Sequence, residues 1–116
     1  MITSEQLKET QDRVAALHRY LDIPAKEMQL AEEKIRTQDP DFWSDAKRAE
    51  EQMKKVKGIE KWVTGYKEVK TMIDELTLAF DYYKEELVTE EEVDATYAKT
   101  IESIEALELK NMLREE

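Results

Sequence analysis

From Ser44 to Leu87 the chain runs for more than forty residues without a proline and with two glycines, Gly58 and Gly65. Apolar side chains recur through it at Ala46, Ala49, Met53, Val56, Ile59, Val63, Tyr66, Val69, Ile73, Leu76, Phe80, Tyr83 and Leu87. Every step is three or four residues, the period of one helical face and not of a strand. At about 1.5 Å per residue an unbroken helix of this length is roughly 65 Å long. Such a rod cannot bury its own stripe, so the other segments must pack along it. The pattern predicts an all-α fold: an elongated antiparallel bundle of three to four helices built on one long central helix.

The flanking segments supply candidates for the remaining helices. Thr3 with Gln6 has the spacing of a capping box, and Leu7, Val14, Leu17 and Leu21 follow. A first helix is expected over roughly 4–21. Pro24 disfavours helical geometry at Ile23 yet suits a first turn, with Asp22 as the cap. A second helix is expected over roughly 23–37, either separate or as a kinked continuation of the first, with Met28, Ala31 and Ile35 on its inner face. Pro40 stops it. The long helix is expected over roughly 44–87, with Ser44 as N-cap and Asp45 at the positive end of its dipole. Gly58 and Gly65 lie one heptad apart. They either admit another helix at close range or mark a bend. Trp62 is expected in the core with its indole N–H at the rim. Thr89 with Glu92 forms a second capping box and opens a last helix over roughly 89–114. That helix reaches Arg114-Glu115-Glu116 without a stop signal, as expected of a segment of a longer protein.

Composition narrows the function. No run of about 18 apolar residues is present, so no membrane-spanning helix is expected. Met1-Ile2-Thr3-Ser4-Glu5 lacks the layout of a secretory signal, which points to a cytoplasmic protein. With no cysteine and a single histidine, His18, neither a zinc site nor a Ser–His–Asp set can be assembled. His18 is read as a surface or rim residue. Glutamates abound, but the Glu-x-x-His ligands of di-iron bundles are missing, and two glycines cannot make a phosphate-binding loop. The segment is read as non-catalytic, with no cofactor, no metal and no small-molecule substrate.

The net charge of −10 argues against wrapping nucleic acid. Its distribution is uneven. Residues 1–46 carry 6 basic and 10 acidic groups, residues 47–70 carry 8 and 4, and residues 71–116 carry 4 and 14. Within the basic middle, Lys47, Lys54 and Lys61 are seven apart, with Lys57 one turn from its neighbours. Two readings stand: a solvated face paired with Glu50, Glu51 and Glu60, or a contact for RNA phosphates or an acidic protein. The adjacent aromatics Phe42 and Trp43 carry a similar choice. They are either a structural staple that holds the loop onto the bundle or a partner-binding wedge.

Several runs together carry a family likeness. They are Leu17-His18-Arg19-Tyr20-Leu21-Asp22, then Asp39-Pro40-Asp41-Phe42-Trp43, then a helix opening with Ala46 and Arg48-Ala49. Leu87-Val88-Thr89-Glu90-Glu91-Glu92 and Leu107-Glu108-Leu109-Lys110-Asn111-Met112-Leu113 continue it. In order and spacing, and over essentially the whole chain, these resemble the N-terminal domain of the bacterial class I peptide chain release factors, in the release factor 2 branch. Pro24 departs from the polar residue expected after Leu-Asp. The resemblance implies a parent protein that terminates translation at UAA and UGA. It implies a domain lying toward the GTPase-associated centre of the large ribosomal subunit, with the stalk base, rRNA and the GTPase release factor as partners. The Ser-Pro-Phe and Gly-Gly-Gln motifs of that family belong to later domains, and neither occurs in this sequence. The rival reading is a free-standing helical coiled-coil adaptor or scaffold.

Overall fold

A computed structural model describes residues 1–114. The described residues form four α-helices: α1 (Ser4–Tyr20), α2 (Ile23–Arg36), α3 (Ala46–Lys84) and α4 (Glu90–Arg114), with a 3-10 turn at Pro40–Ser44 before α3. There is no strand among the described residues. The all-α class and the single long helix are as the periodicity predicts. The expectation about the end of the last helix falls partly on Glu115 and Glu116, outside the described residues.

The helices sort into two compact units. One joins Met1–Leu21 to the chain from Tyr66 onward, and the other is Asp22–Gly65. α3 is continuous through both.

The first unit is a three-helix bundle. Its α1 opens on the expected capping box: the Thr3 hydroxyl accepts from the Gln6 amide at 3.1 Å, and the Gln6 side chain accepts from the Thr3 amide at 2.8 Å. Leu7, Val14 and Leu17 turn inward from α1. Val69, Ile73, Leu76 and Phe80 do so from α3, and Val93, Ile104 and Leu107 from α4. Thr10 and Thr100 are buried with them, and each hydroxyl donates to the carbonyl four residues back, Gln6 and Thr96, so neither is left unpaired. Polar links fix the directions. Gln11 donates to Thr77 at 3.0 Å, and the His18 ring lies 5.2 Å from that of Tyr66, so α1 runs antiparallel to α3. Tyr83 donates to Glu90 at 2.8 Å across the α3–α4 turn. Arg13 grips Glu108 through Nε (3.1 Å) and Nη2, and Arg114 donates to the Tyr20 carbonyl at 3.1 Å. α1 and α4 are therefore parallel to each other, and both are antiparallel to α3.

The second unit is a helical hairpin of α2 and the first half of α3, closed by the 3-10 turn. Here the expected inner face is wrong. Met28 and Ile35 are 67% and 70% exposed, and Ala31 is exposed with them. The inward residues of α2 are Ile23, Lys26, Leu30 and Glu33, spaced three, four and three apart, with Thr37 following at the C-cap. Glu33 is only 6% exposed. It is tolerated there because its carboxylate accepts from Gln52 Nε2 at 2.7 Å and lies 3.3 Å from the Arg36 guanidinium. A reading that seeks apolar residues assigns such a position to solvent and turns the helix round.

The helix ends also differ in detail. Asp22 precedes α2 in a left-handed conformation (φ 47°) and makes no side-chain cap. That residue and Leu21 separate α1 from α2 as two helices. Ser44 does not cap α3. The 3-10 turn recruits it, its hydroxyl donating to the Asp41 carbonyl, and Asp45 takes the cap by accepting the Arg48 amide at 3.2 Å. α3 stops at Lys84. The Leu87 amide returns to the Tyr82 carbonyl (2.9 Å) and the Glu86 amide to that of Tyr83 (3.0 Å), with Glu86 left-handed at φ 63°. This is a Schellman closure with glutamate where glycine is usual. The capping box of Thr89 and Glu92 then starts α4.

Candidate functional site

The lysine row is carried by the first half of α3, within the second unit. At 100° per residue, Lys47, Lys54, Lys57 and Lys61 fall within an arc of roughly 80°. The buried side of the same stretch is Ala49, Met53, Val56 and Val63, around the helix from that arc. All four lysines are exposed. Lys54 lies 3.7 Å from Glu50, a loose surface pair worth little in water. Lys47, Lys57 and Lys61 have no ion pair among the described residues. The structure thus groups four ammonium ions on one solvated face, with one partly neutralised. Gly58 sits beside them, and a Cβ there would meet nothing within 4 Å. No helix approaches closely at that glycine.

Immediately before this face comes the aromatic turn. Asp39 accepts the Asp41 amide at 3.0 Å and starts the 3-10 turn with Pro40. Phe42 is half-buried, and Trp43 is 55% exposed. Their rings meet edge to face at 4.9 Å, and the Trp43 indole N–H donates to the Thr37 carbonyl at 2.8 Å, tying the turn to the end of α2. Behind Phe42 is a hollow of about 340 Å³, walled by Arg36, Asp39, Asp41, Asp45 and Arg48. Sequence spacing gave no sign of it, because its walls come from three elements. Its two guanidinium groups and three carboxylates make it a mixed-sign surface, not a cradle for one anion.

Four groups with displaced proton equilibria lie in the other unit. The N-terminal ammonium is 3.0 Å from Asp94, whose other oxygen accepts the Ile2 amide. That hydrogen bond holds the amine above its ordinary value of 8.0 and the carboxyl below its ordinary 3.8. The Tyr83 phenol is raised by its bond to Glu90, and Arg13 by its bond to Glu108. These groups join helices.

The described residues form a helical domain that presents a row of four lysines on one face of α3. The PCRF domain matches residues 26–116, and the chain belongs to that family. It is 28% identical over 105 residues to peptide chain release factor 2 of Yersinia pseudotuberculosis, covering 90% of this chain and 27% of that protein. It is 27% identical over 81 residues to peptide chain release factor 2 of Staphylococcus haemolyticus, covering 70% of this chain and 22% of that protein. The chain thus spans about a quarter of the length of the curated relatives it matches. No helix among the described residues is long and apolar enough to cross a membrane.

Proposed function

We propose that this chain is the N-terminal helical domain of a cytoplasmic peptide chain release factor that terminates translation at UAA and UGA. In this reading the domain is non-catalytic. It docks the factor at the GTPase-associated centre of the large subunit, against the stalk base and its rRNA, within reach of the GTPase release factor. Codon reading and peptidyl-tRNA hydrolysis belong to other domains of the parent. The observation that carries the reading is the PCRF match over 26–116, supported by relatives named peptide chain release factor 2. The exposed face of Lys47, Lys54, Lys57 and Lys61 is the contact edge, because closely grouped ammonium ions gain affinity for phosphates by releasing counterions. Phe42 and Trp43 brace the turn that leads into that edge.

The test is to reverse Lys54, Lys57 and Lys61 to glutamate in the full-length factor and measure ribosome binding across a salt series. Binding should weaken, and the salt slope should fall by roughly one for each lysine that faces a phosphate. Unchanged affinity at low salt, where screening is weakest, returns the row to a plain solvated face. The wider reading fails if the genomic frame beyond Glu116 encodes no Gly-Gly-Gln.

A further inference from the structure

The side of α2 that faces solvent is the more apolar side of that helix, and it has the register of a helix–helix seam. Pro24, Met28, Ala31 and Ile35 are all exposed, with Met28 and Ile35 at 67% and 70%. Their spacing of four, three and four places them within an arc of roughly 60°. That arc is opposite Ile23, Leu30 and Glu33, which face the hairpin. Apolar residues scattered singly over a surface need no explanation. Four in seam register along one short helix do.

Charge selects the occupant. Glu27 and Lys34 border the seam on one edge, seven residues apart, and Glu32 borders it on the other. Neither Glu27 nor Lys34 has an ion pair among the described residues. The seam is thus acidic toward the start of α2 and basic toward its end. A second α2 laid antiparallel puts Met28 against Ala31 of the other copy and Pro24 against Ile35. The same twofold places Glu27 opposite Lys34 of the other copy at two symmetry-related points, so each charge meets its opposite. A parallel pairing instead sets Glu27 beside the other copy's Glu32, like against like. The distribution of net charge agrees. Residues 22–65 carry 9 basic and 10 acidic groups, net −1, whereas the rest of the chain carries 9 and 18, net −9. The repulsion that keeps copies apart is concentrated outside the unit that holds the seam.

We propose that the exposed face of α2 is a self-association surface, on which a second copy of this chain pairs antiparallel through Met28, Ala31 and Ile35 with reciprocal Glu27–Lys34 contacts. The seam is two heptads long. It covers less than the ~1,000 Å² of a stable interface, so the dimer is weak and reversible, with a dissociation constant on the order of 10⁻⁴ M. This goes beyond the ribosome reading and is independent of it, since Lys54, Lys57 and Lys61 lie outside the seam.

Sedimentation equilibrium of the 116-residue chain over a wide concentration range tests the proposal, with far-UV circular dichroism confirming that each variant is folded. The wild type should show a monomer–dimer equilibrium, and Ile35→Glu should remove it. Glu27→Lys and Lys34→Glu should each weaken self-pairing about tenfold, because each converts both reciprocal contacts to repulsions. Mixing those two variants should restore association as a heterodimer, and the double variant should pair as the wild type does. A wild type that stays monomeric throughout overturns the proposal. So does an association that Ile35→Glu leaves intact, which would place the contact elsewhere. Failure of the mixture to associate overturns the antiparallel arrangement.

Discussion

Glu86 occupies a backbone position that suits a residue without a Cβ. At φ 63° a side chain is strained, yet the position is needed to return the Leu87 amide to Tyr82 and close α3. Replacing Glu86 with glycine should raise stability by about 0.5–1 kcal/mol, read by urea denaturation, and a variant of lower stability would refute this account of the turn. The Asp94 salt bridge is a second single-residue device. Its ammonium has a raised folded value, so its contribution is complete below pH 8.0 and is lost as pH rises through that raised value. The carboxyl has a lowered value, so its contribution is complete above 3.8 and is lost as pH falls through the lowered one. In Asp94→Asn the terminal amine of this chain should titrate lower, back toward 8.0, by NMR. No change on substitution would show that the pair does not form in solution. Capping is where single residues were most legible. Thr3 with Gln6 and Thr89 with Glu92 are reciprocal pairs that suit little else. Asp22 and Ser44 are cap types too, but backbone strain in one case and a competing 3-10 turn in the other divert them, and type alone does not reveal that.

Among the elements, α2 is the one whose orientation the sequence hid. Its inner face carries a carboxylate because Gln52 reaches across from α3, and that partner is 19 residues away in sequence. Periodicity reports which residues share a face; it does not report that a polar face has found its complement. Gln52→Ala should cost about 1–3 kcal/mol, since it removes a donor from buried Glu33 and leaves Arg36 alone to compensate. A loss within a few tenths of a kcal/mol, by the same denaturation measurement, would mean that water replaces the amide. α3 was legible in type and nearly in length because its stripe persists over so many turns. The lysine row on its first half was legible as spacing, since seven-residue steps keep residues on one side of a helix. Its incomplete pairing was not. Of the expected partners Glu50, Glu51 and Glu60, only Glu50 comes within 4 Å of one of the four lysines among the described residues.

At the scale of the whole molecule, the division into two units was only partly marked in the sequence, by the break at residues 22–24. The breaks that composition offers are Pro24 and Pro40, whereas one boundary between the units falls inside α3, between Gly65 and Tyr66, where the helix does not break. The same division governs the order in which the chain can be finished during synthesis. The hairpin unit is contiguous, and its Glu33–Gln52 link joins residues 19 apart. The three-helix unit is split by 44 residues, and its Arg13–Glu108 link joins residues 95 apart. Of the four described helices, α1 is therefore made first and housed last. Leu7, Val14 and Leu17 have nowhere complete to go until α4 has left the ribosome, a long wait for non-local contacts. Limited proteolysis of stalled nascent chains should find the hairpin protected first, and α1 protected only once α4 has emerged. Early protection of α1 would mean that α3 alone can shelter it. A domain proposed to help end protein synthesis is itself one in which α1 is secured only when α4 has been made.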